Sequence, residues 1–257
     1  MHQVLFSIGD FKIYSYGATL VFAFLMAIAV ALKQGKKAGF SEEVILDLSL
    51  ILLIAGVLGS RLLFVLLNLG DYLKHPLSIL NLREGGLSLH GGLILGFLCV
   101  LWFCRSRKIS LWSLLDAISP SFIIGIAIGR IGCFLNGCCY GKVTGLPWGV
   151  VFTSAHITLA RHPSQIYEML LDLAVFALLL YWQGRKRFEG EVFLFSLLLY
   201  SVVRFIVEFF REGLFFFWGL SLAQYGSILI IVLCLILIAR GRKDARAAAG
   251  RKRSRKK

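Results

Sequence analysis

The chain has 257 residues, of which 58% are hydrophobic and 16% charged, and its mean hydropathy is +0.80. Soluble domains carry about 25% charged residues, so this composition excludes an ordinary soluble domain. The net charge of +14 is typical of some nucleic-acid-binding proteins, yet ten of the 28 lysines and arginines follow the last apolar run, between Arg240 and Lys257. That placement indicates membrane topology and contact with anionic lipid, and we expect no nucleic-acid partner.

Seven apolar runs close to the length of a membrane span follow one another along the chain. We expect them at 14–32, 44–67, 90–104, 112–135, 164–182, 191–210 and 219–239. The Gly91–Gly92 pair predicts close packing of the third run against a neighbour. The segment 136–163 is interrupted by polar residues and predicts a small elaboration outside the membrane. Residues 1–257 are therefore expected to form one all-α polytopic membrane domain, with 240–257 as a basic cytoplasmic tail and no cleavable signal peptide.

Loop charges predict the orientation of the chain in the membrane. With the N-terminus outside, nineteen lysines and arginines fall on the inner side, six on the outer side, and Arg61, Arg130 and Arg204 within spans. Positive charge accumulates in cytoplasmic loops, so we expect the N-terminus outside and the C-terminus inside.

Polar residues within the spans gather toward the outer face in this orientation. They are Tyr16, Arg61, His90, Arg130, Tyr167, Glu168, Tyr200, Arg204, Glu208, Gln224 and Tyr225. A charge at the bilayer centre costs about 2.5–3.5 kcal/mol even on the mildest scale, so such residues indicate function. Structural ion pairs would explain any one of them, but two or three unpaired arginines beside a histidine favour an anionic ligand such as a phosphate.

The sixth span shows the expected geometry best. Tyr200, Arg204 and Glu208 are four residues apart and share one helix face. We expect Glu208 to neutralise and orient Arg204 so that its guanidinium points at a ligand; the alternative is a pair that only satisfies itself.

Five motifs carry a resemblance to a known family. They are YSYG at 14–17, SLHGGLILG at 88–96, GRIGCFLNGCCYG at 129–141, RHPSQIYE at 161–168 and YSVVRFIVEFFR at 200–211. In order and spacing they resemble the prolipoprotein diacylglyceryl transferases over nearly the whole chain. The resemblance implies a bacterial inner-membrane protein with seven spans, a periplasmic N-terminus and an active site toward the periplasmic face.

The resemblance also implies a reaction. The diacylglyceryl group of phosphatidylglycerol moves to the thiol of the lipobox cysteine in a preprolipoprotein signal peptide, a thioether forms, and glycerol phosphate leaves. The implied partners are phosphatidylglycerol, preprolipoprotein signal peptides and membrane lipid, and neither a cofactor nor a metal is expected.

Roles carried over from the family by position fall into two groups. Arg204, Tyr200, Glu208 and His90 are expected to be catalytic, with Arg204 at the reacting centre. Arg130 is expected to bind the lipid phosphate, and Tyr16, Asn136, Gly141, His162 and Gln165 to bind substrate or support the site. A histidine titrates near neutrality and suits a general base for the thiol; alternatively, His90 orients a neighbour or caps its helix.

Three cysteines depart from the family pattern. Many members have Asn in place of Cys133 and an acidic residue in place of Cys138, so a carboxylate role cannot apply here. With Cys139, these thiols could ligate zinc or form a disulfide in an oxidising compartment. Adjacent cysteines have Cα atoms about 3.8 Å apart, against about 4.4–6.8 Å in disulfides, and zinc sites usually use separated ligand pairs. We therefore expect these cysteines to be packing residues.

Two other function classes fit parts of the pattern. A lipid or organic-anion transporter also places arginines at depth, but the chain has no internal repeat and its polar set stays on one side. A non-catalytic membrane scaffold would not need so many buried cations.

Overall fold

The described part of the chain is mostly helical and begins with a short hairpin. The computed structural model describes residues 4–8, 11–74, 76–81, 85–155, 157–213 and 216–254. The regular elements are strands β1 (Val4–Ile8) and β2 (Phe11–Tyr14) and helices α1 (Ser15–Lys37), α2 (Glu42–Leu67), α3 (Leu69–Lys74), α4 (Leu89–Arg107), α5 (Leu111–Asn136), α6 (Ser164–Gln183), α7 (Glu191–Glu208) and α8 (Leu222–Ser254). Short 3-10 helices lie at Pro76–Leu80, Thr153–Ala155 and Phe217–Gly219.

All seven predicted spans coincide with long helices, and the prediction of an all-α polytopic membrane protein is confirmed. Among the described residues, six helices, α1, α2, α4, α5, α6 and α8, are long and apolar enough to cross a membrane. The seventh, α7, has 18 residues and carries Glu191, Arg204 and Glu208, so its apolar character is weaker. The latter two charges are among the polar residues that the sequence singled out.

Two features were not predicted from the sequence. β1 and β2 pair antiparallel, with Ile8 opposite Phe11, and lead directly into α1. α8 continues to Ser254, so the described part of the predicted basic tail, 240–254, is helical. Strands of five and four residues are too short to give a clear alternation, which is why the sequence pattern missed the hairpin.

The chain divides into two compact units, Met1–Ala31 with Leu115–Lys257, and Leu32–Leu114. In the first unit, α5, α6 and α7 share a buried apolar core. It is formed by Ile123, Val175, Leu179, Val192, Val203 and Val207. α8 packs along α7 through a second cluster that includes Leu194 and Cys234. The prediction of one functional membrane domain over the whole chain stays a prediction.

The second unit is built on the close packing of α2 and α4. A Cβ atom at Gly59 would lie 2.4 Å from the carbonyl oxygen of Gly91, and one at Gly91 would lie 2.1 Å from that of Gly59. A Cβ at Gly92 would lie 2.6 Å from the Ser60 hydroxyl. The expected close approach at Gly91–Gly92 is therefore confirmed, because the two backbones leave no room for side chains.

Two buried carboxylates tie the first unit together near the loop between α6 and α7. Asp116 accepts hydrogen bonds from Lys186 Nζ at 3.0 Å and from the backbone N–H groups of Gly190 and Phe193. Glu191, also buried, accepts from Arg242 Nε at 2.8 Å. These acids are satisfied structural groups, and they lie at the opposite end of α5 and α7 from the polar cluster that follows.

Candidate active site

Side chains from α5, α6 and α7 form a continuous chain of ion pairs. Arg130 Nη2 lies 2.6 Å from Glu168 Oε1, and Arg204 Nη1 lies 3.3 Å from Glu168 Oε2. Arg204 Nη2 lies 2.9 Å from Glu208 Oε2, and Arg211 Nε lies 3.8 Å from the same oxygen. The ion-pair chain therefore alternates in sign from one end to the other, and it joins three helices.

Glu168 is the centre of this arrangement, and the sequence did not assign it a role. It is fully buried on α6 and holds two arginines that come from two other helices. The sequence did contain a sign of its importance: Glu168 is a charged residue within an apolar run, at the last position of the RHPSQIYE motif. Its contacts depend on how α5, α6 and α7 pack, so spacing along the chain could not reveal them.

The expected pair within α7 is present, with one addition. Glu208 pairs with Arg204 one helical turn away, as its i, i+4 spacing predicted. Its second oxygen accepts a hydrogen bond from the Ser221 hydroxyl at 3.1 Å, just before α8. Gln224 in turn accepts from the Ser221 N–H and donates to the Phe205 carbonyl, which fixes the start of α8 beside the end of α7.

The expectation of unpaired arginines was wrong for this unit, because carboxylates pair with both Arg130 and Arg204. Among the described residues of the ion-pair chain, three guanidinium groups face two carboxylates, which leaves one net positive charge. Arg130 Nε is buried and has no hydrogen-bond partner among the described residues. A buried donor without a partner is costly, and a ligand oxygen would satisfy it. The cluster is thus suited to an anionic ligand.

Two predicted tyrosines lie beside the cluster. Tyr200 precedes Arg204 by one turn on α7, is partly buried, and lies within electrostatic reach of Glu168 and Arg130. Tyr16, on the first turn of α1, lies against α5, where a Cβ at Gly132 would be 3.2 Å from its ring. Arg130 is also within electrostatic reach of Tyr16. Both tyrosines therefore border the same region of the first unit.

Backbone contacts hold the described part of the segment 136–163 against the end of α7. Gly141 N–H donates to the His162 carbonyl at 2.9 Å, and a Cβ at Gly141 would lie 2.3 Å from the Phe210 carbonyl oxygen. His162 Nδ1 lies 3.1 Å from the Tyr167 hydroxyl, which also accepts from Trp148 Nε1 at 2.8 Å. Gly141 and His162 therefore position this segment, and their expected part in substrate binding stays a prediction.

The GCCYG part of the segment is clamped by the start of α6. Gln165 Nε2 donates to the Cys138 carbonyl at 2.6 Å, and the Ser164 hydroxyl donates to the Cys139 carbonyl at 2.9 Å. Both side chains are buried. The predicted residue Asn136 ends α5, and its side chain interacts with the Cys138 thiol. Gln165 and Asn136 thus act on the cysteine loop next to the ion-pair chain.

Three thiols converge in this loop, and the expectation that they are packing residues stays a prediction. The Sγ atoms of Cys133, Cys138 and Cys139 all lie within 4.8 Å of one another, and each cysteine is half-buried. Hydrogen bonds from the Cys133 and Cys138 thiols, and then the charges of Arg211 and Arg130, lower the pKa of the Cys139 thiol below its usual range. The structure therefore adds a nucleophilic or metal-ligating group beside the cationic cluster.

Arg61, in the second unit, is a structural residue. Its guanidinium donates to five backbone carbonyls, those of Ile79 at 2.9 Å, Gly85 at 2.8 Å, Gly86 at 3.1 Å, Ser78 at 2.5 Å and Asn81 at 3.1 Å. The side chain is buried, and its charge ties the segment after α3 to α2. With five acceptors on its donors, it is not available to a phosphate.

His90 belongs to the second unit as well. It lies in the first turn of α4, one residue before Gly91, and it is exposed. Its expected role as a general base stays a prediction.

Asp172 is a buried acid outside the ion-pair chain. It follows Glu168 by one turn on α6 and is fully buried, yet neither carboxylate oxygen has a hydrogen-bond partner among the described residues. It therefore provides an internal comparison for Glu168, whose carboxylate is paired twice.

Comparisons with known proteins identify a family for the chain. The sequence profile of the family prolipoprotein diacylglyceryl transferase matches residues 3–240. The chain is similar to phosphatidylglycerol–prolipoprotein diacylglyceryl transferases of Bordetella avium, 37% identical over 91% of this chain and 92% of the relative, and of Finegoldia magna, 32% identical over 95% and 97%. A relative of the same name from Clostridium tetani is 36% identical over 82% of this chain and 86% of its own. The chain therefore belongs to the prolipoprotein diacylglyceryl transferase family, a family of multi-pass bacterial membrane proteins.

Proposed function

We propose that this protein transfers the diacylglyceryl group of phosphatidylglycerol to the lipobox cysteine thiol of preprolipoprotein signal peptides. The observation that carries the proposal is the chain of ion pairs from Arg130 through Glu168 and Arg204 to Glu208, in a protein of this family. With Arg211 the ion-pair chain has more cationic than anionic groups, which favours an anionic ligand such as a phosphodiester. Phosphatidylglycerol and a prolipoprotein are also the substrates in the names of the relatives.

The reaction needs charge stabilisation more than covalent help from the enzyme. A thiolate attacks the glyceryl carbon, the bond from that carbon to the phosphate oxygen breaks, and a phosphodiester monoanion becomes a phosphomonoester with more charge. Arginines that are already in place stabilise that developing charge without reorganising. Arg130, with its unpartnered Nε, binds the phosphate, and Arg204 stabilises the leaving group at the reacting centre.

The other predicted residues support these two arginines. Glu208 fixes the orientation of Arg204 by its contact at 2.9 Å, and Tyr200 and Tyr16 border the same region. The neighbouring cysteine loop and the segment that follows it are held by Gly141, His162, Gln165 and Asn136. His90 is the general base in this proposal, on the strength of the family resemblance.

The proposal also includes the orientation of the chain: N-terminus outside, C-terminus in the cytoplasm, and the arginine cluster toward the outer face. The excess of cations in the loops at the other end supports it. A reporter fused after Lys108 should score cytoplasmic, and one fused after Gly145 should score periplasmic. Opposite scores would place the cluster on the cytoplasmic side and refute this part.

The test of the activity uses the purified protein in phosphatidylglycerol-containing proteoliposomes with a lipobox peptide. We expect release of glycerol phosphate together with a peptide mass increase equal to one diacylglyceryl group. The control peptide has serine in place of the lipobox cysteine and should give neither signal. Redistribution of the lipid between leaflets without peptide modification would support a transporter and refute the proposal.

A further inference from the structure

The three thiols of the GRIGCFLNGCCYG segment lie at a turn that folds back on its own helix. Gly137, at φ 74°, follows the end of α5, and the Cys138 N–H then donates to the Cys133 carbonyl at 3.1 Å. Cys139 has a φ of 62°, a left-handed conformation that side-chain-bearing residues rarely adopt. These two reversals bring the thiols from positions 133, 138 and 139 to within 4.8 Å of one another.

The surroundings hold this strained loop in place. The buried Gln165 and Ser164 side chains each donate to the carbonyl of one of the two adjacent cysteines. A non-glycine residue in a rare backbone conformation costs about 1–3 kcal/mol, and it persists only where its neighbours impose it. Packing alone does not require three half-buried thiols to converge, so the clamped loop indicates a built site.

The geometry fits a thiophilic metal ion. Zinc binds thiolates at about 2.3 Å with tetrahedral angles, which separates the sulphurs by about 3.8 Å, within the observed limit. Within the described ranges, no further His, Cys, Asp or Glu ligand atom joins the group, so one of the four positions is left over. Structural zinc sites are closed by four protein ligands, whereas three protein ligands and one open position are typical of catalytic sites.

The cationic side chains next to the thiols also favour a zinc–thiolate complex. Three thiolates with Zn²⁺ carry one net negative charge, and a fourth thiolate adds another. Arg130 precedes Cys133 by one helical turn, and Arg130 and Arg211 both lie within electrostatic reach of Cys139. The objection to zinc from sequence was that its ligands usually come in separated pairs. The fold removes this objection, because the turn brings the sulphurs together regardless of their spacing along the chain.

We propose that Cys133, Cys138 and Cys139 bind a Zn²⁺ ion whose open fourth position takes the thiol of the substrate cysteine as a thiolate. This inference rests on the proposed function. A metal-bound thiol is deprotonated outright, whereas a free thiol is only a few per cent ionised near pH 7. The thiol proton passes to the general base. The sulphur lone pair forms the S–C bond to the glyceryl carbon, the C–O bond to phosphate breaks, and glycerol phosphate leaves with that electron pair.

The first arm of the test measures metal without activity. Protein purified without a polyhistidine tag should contain about one zinc per chain, the number that one four-coordinate site holds. Co²⁺ in its place should give the intense visible bands of a tetrahedral thiolate complex. The triple variant Cys133→Ser, Cys138→Ser, Cys139→Ser should lose both signals. Cys99→Ser, outside the cluster on α4, is the matched control and should keep them.

Two results of this arm would overturn the proposal. One is wild-type protein that takes up no zinc even after incubation with an excess of Zn²⁺, and the other is a mapped disulfide within the cluster. If the triple variant does not accumulate, Cys139→Ala alone should lower the zinc content, and unchanged zinc in that variant would also overturn the proposal.

The second arm measures thiol ligation and transfer. Adding a lipobox peptide should shift the Co²⁺ spectrum, and the serine peptide should not. Removal of the metal should lower the rate of peptide alkylation at least about tenfold. The reason is that only about one in thirty ordinary thiols is ionised at pH 7. Full alkylation by metal-free protein would overturn the zinc proposal and leave the proposed function intact. Alkylation by neither form would refute the proposed function, while the Co²⁺ spectrum would still decide whether the metal site exists.

Discussion

Replacing Glu168 by glutamine removes the negative charge between two arginines and keeps the shape of the side chain. Glu168 is 1% exposed at its side chain, while Arg130 and Arg204 are 18% and 19% exposed. Removing one partner of a buried ion pair costs about 3–5 kcal/mol, because it leaves an uncompensated charge. The partial exposure of both arginines places the expected cost at the lower end, about 3 kcal/mol.

The loss has a second component in the geometry. An amide offers one acceptor oxygen and an NH₂ group that faces the other guanidinium, so a glutamine side chain at this position can hold one arginine at most. Arg130, with the closer contact at 2.6 Å, and Arg204, at 3.3 Å, can then no longer be held together. Misplacing a substrate-positioning group by about 1 Å costs about a hundredfold in rate, which is the expected fall in kcat/KM for glycerol phosphate release.

The assay compares Glu168→Gln with Asp172→Asn. Both acids are fully buried on α6, one turn apart, but the Asp172 oxygens have no partner among the described residues. The Asp172 variant should keep its activity within about twofold and its stability within about 1 kcal/mol, because no ion pair is broken. The melting temperature in detergent should fall by about 10 °C for the Glu168 variant, because each kcal/mol of lost stability lowers it by about 2–4 °C. Equal behaviour of the two variants would refute the role of Glu168 as the bridge.

Three further predictions concern single contacts. Arg204→Lys keeps the charge but loses the planar fork that engages two carboxylates, so the transfer rate should fall at least about tenfold. Arg204→Ala should abolish transfer in protein that still inserts into the membrane. Near-normal turnover of the alanine variant would show that Arg204 is not at the reacting centre. Gly141→Ala should lower both the melting temperature and activity, because its Cβ would lie 2.3 Å from a backbone carbonyl, whereas Gly145→Ala, with nothing within 4 Å, should behave as wild type in the same assays. Arg61→Ala should make the described stretches 76–81 and 85–86 more sensitive to protease, because five backbone carbonyls there accept from the Arg61 guanidinium. The value of kcat/KM per folded molecule should change less than about threefold, and a selective rise in the KM for phosphatidylglycerol would assign Arg61 to lipid binding instead.

Features repeated along the chain or within one helix could be predicted from the sequence. The seven spans follow from apolar run length, because the bilayer fixes the length of a spanning helix. The contact between Arg204 and Glu208 follows from their i, i+4 spacing, and the approach at Gly91–Gly92 follows from the absence of side chains there. Five motifs in order predicted the family. In each case the physical cause is local, so the spacing of residues along the chain is sufficient to reveal it.

Which charged or polar groups from distant segments pair with one another was decided by the tertiary structure alone. Glu168 joins Arg130 and Arg204, and the expectation of unpaired arginines failed, because which acid faces which base depends on the rotation of α5, α6 and α7 about their axes. Arg61 looks like these arginines in the sequence pattern, yet carbonyls of a following segment occupy its donors. The convergence of the Cys139 thiol with its neighbours likewise required a left-handed backbone conformation at Cys139 and two hydrogen bonds from side chains of α6. The spacing of residues along the chain does not predict either of them. The sequence determines the chemistry of each side chain, but the packing of the helices determines which partner that side chain contacts.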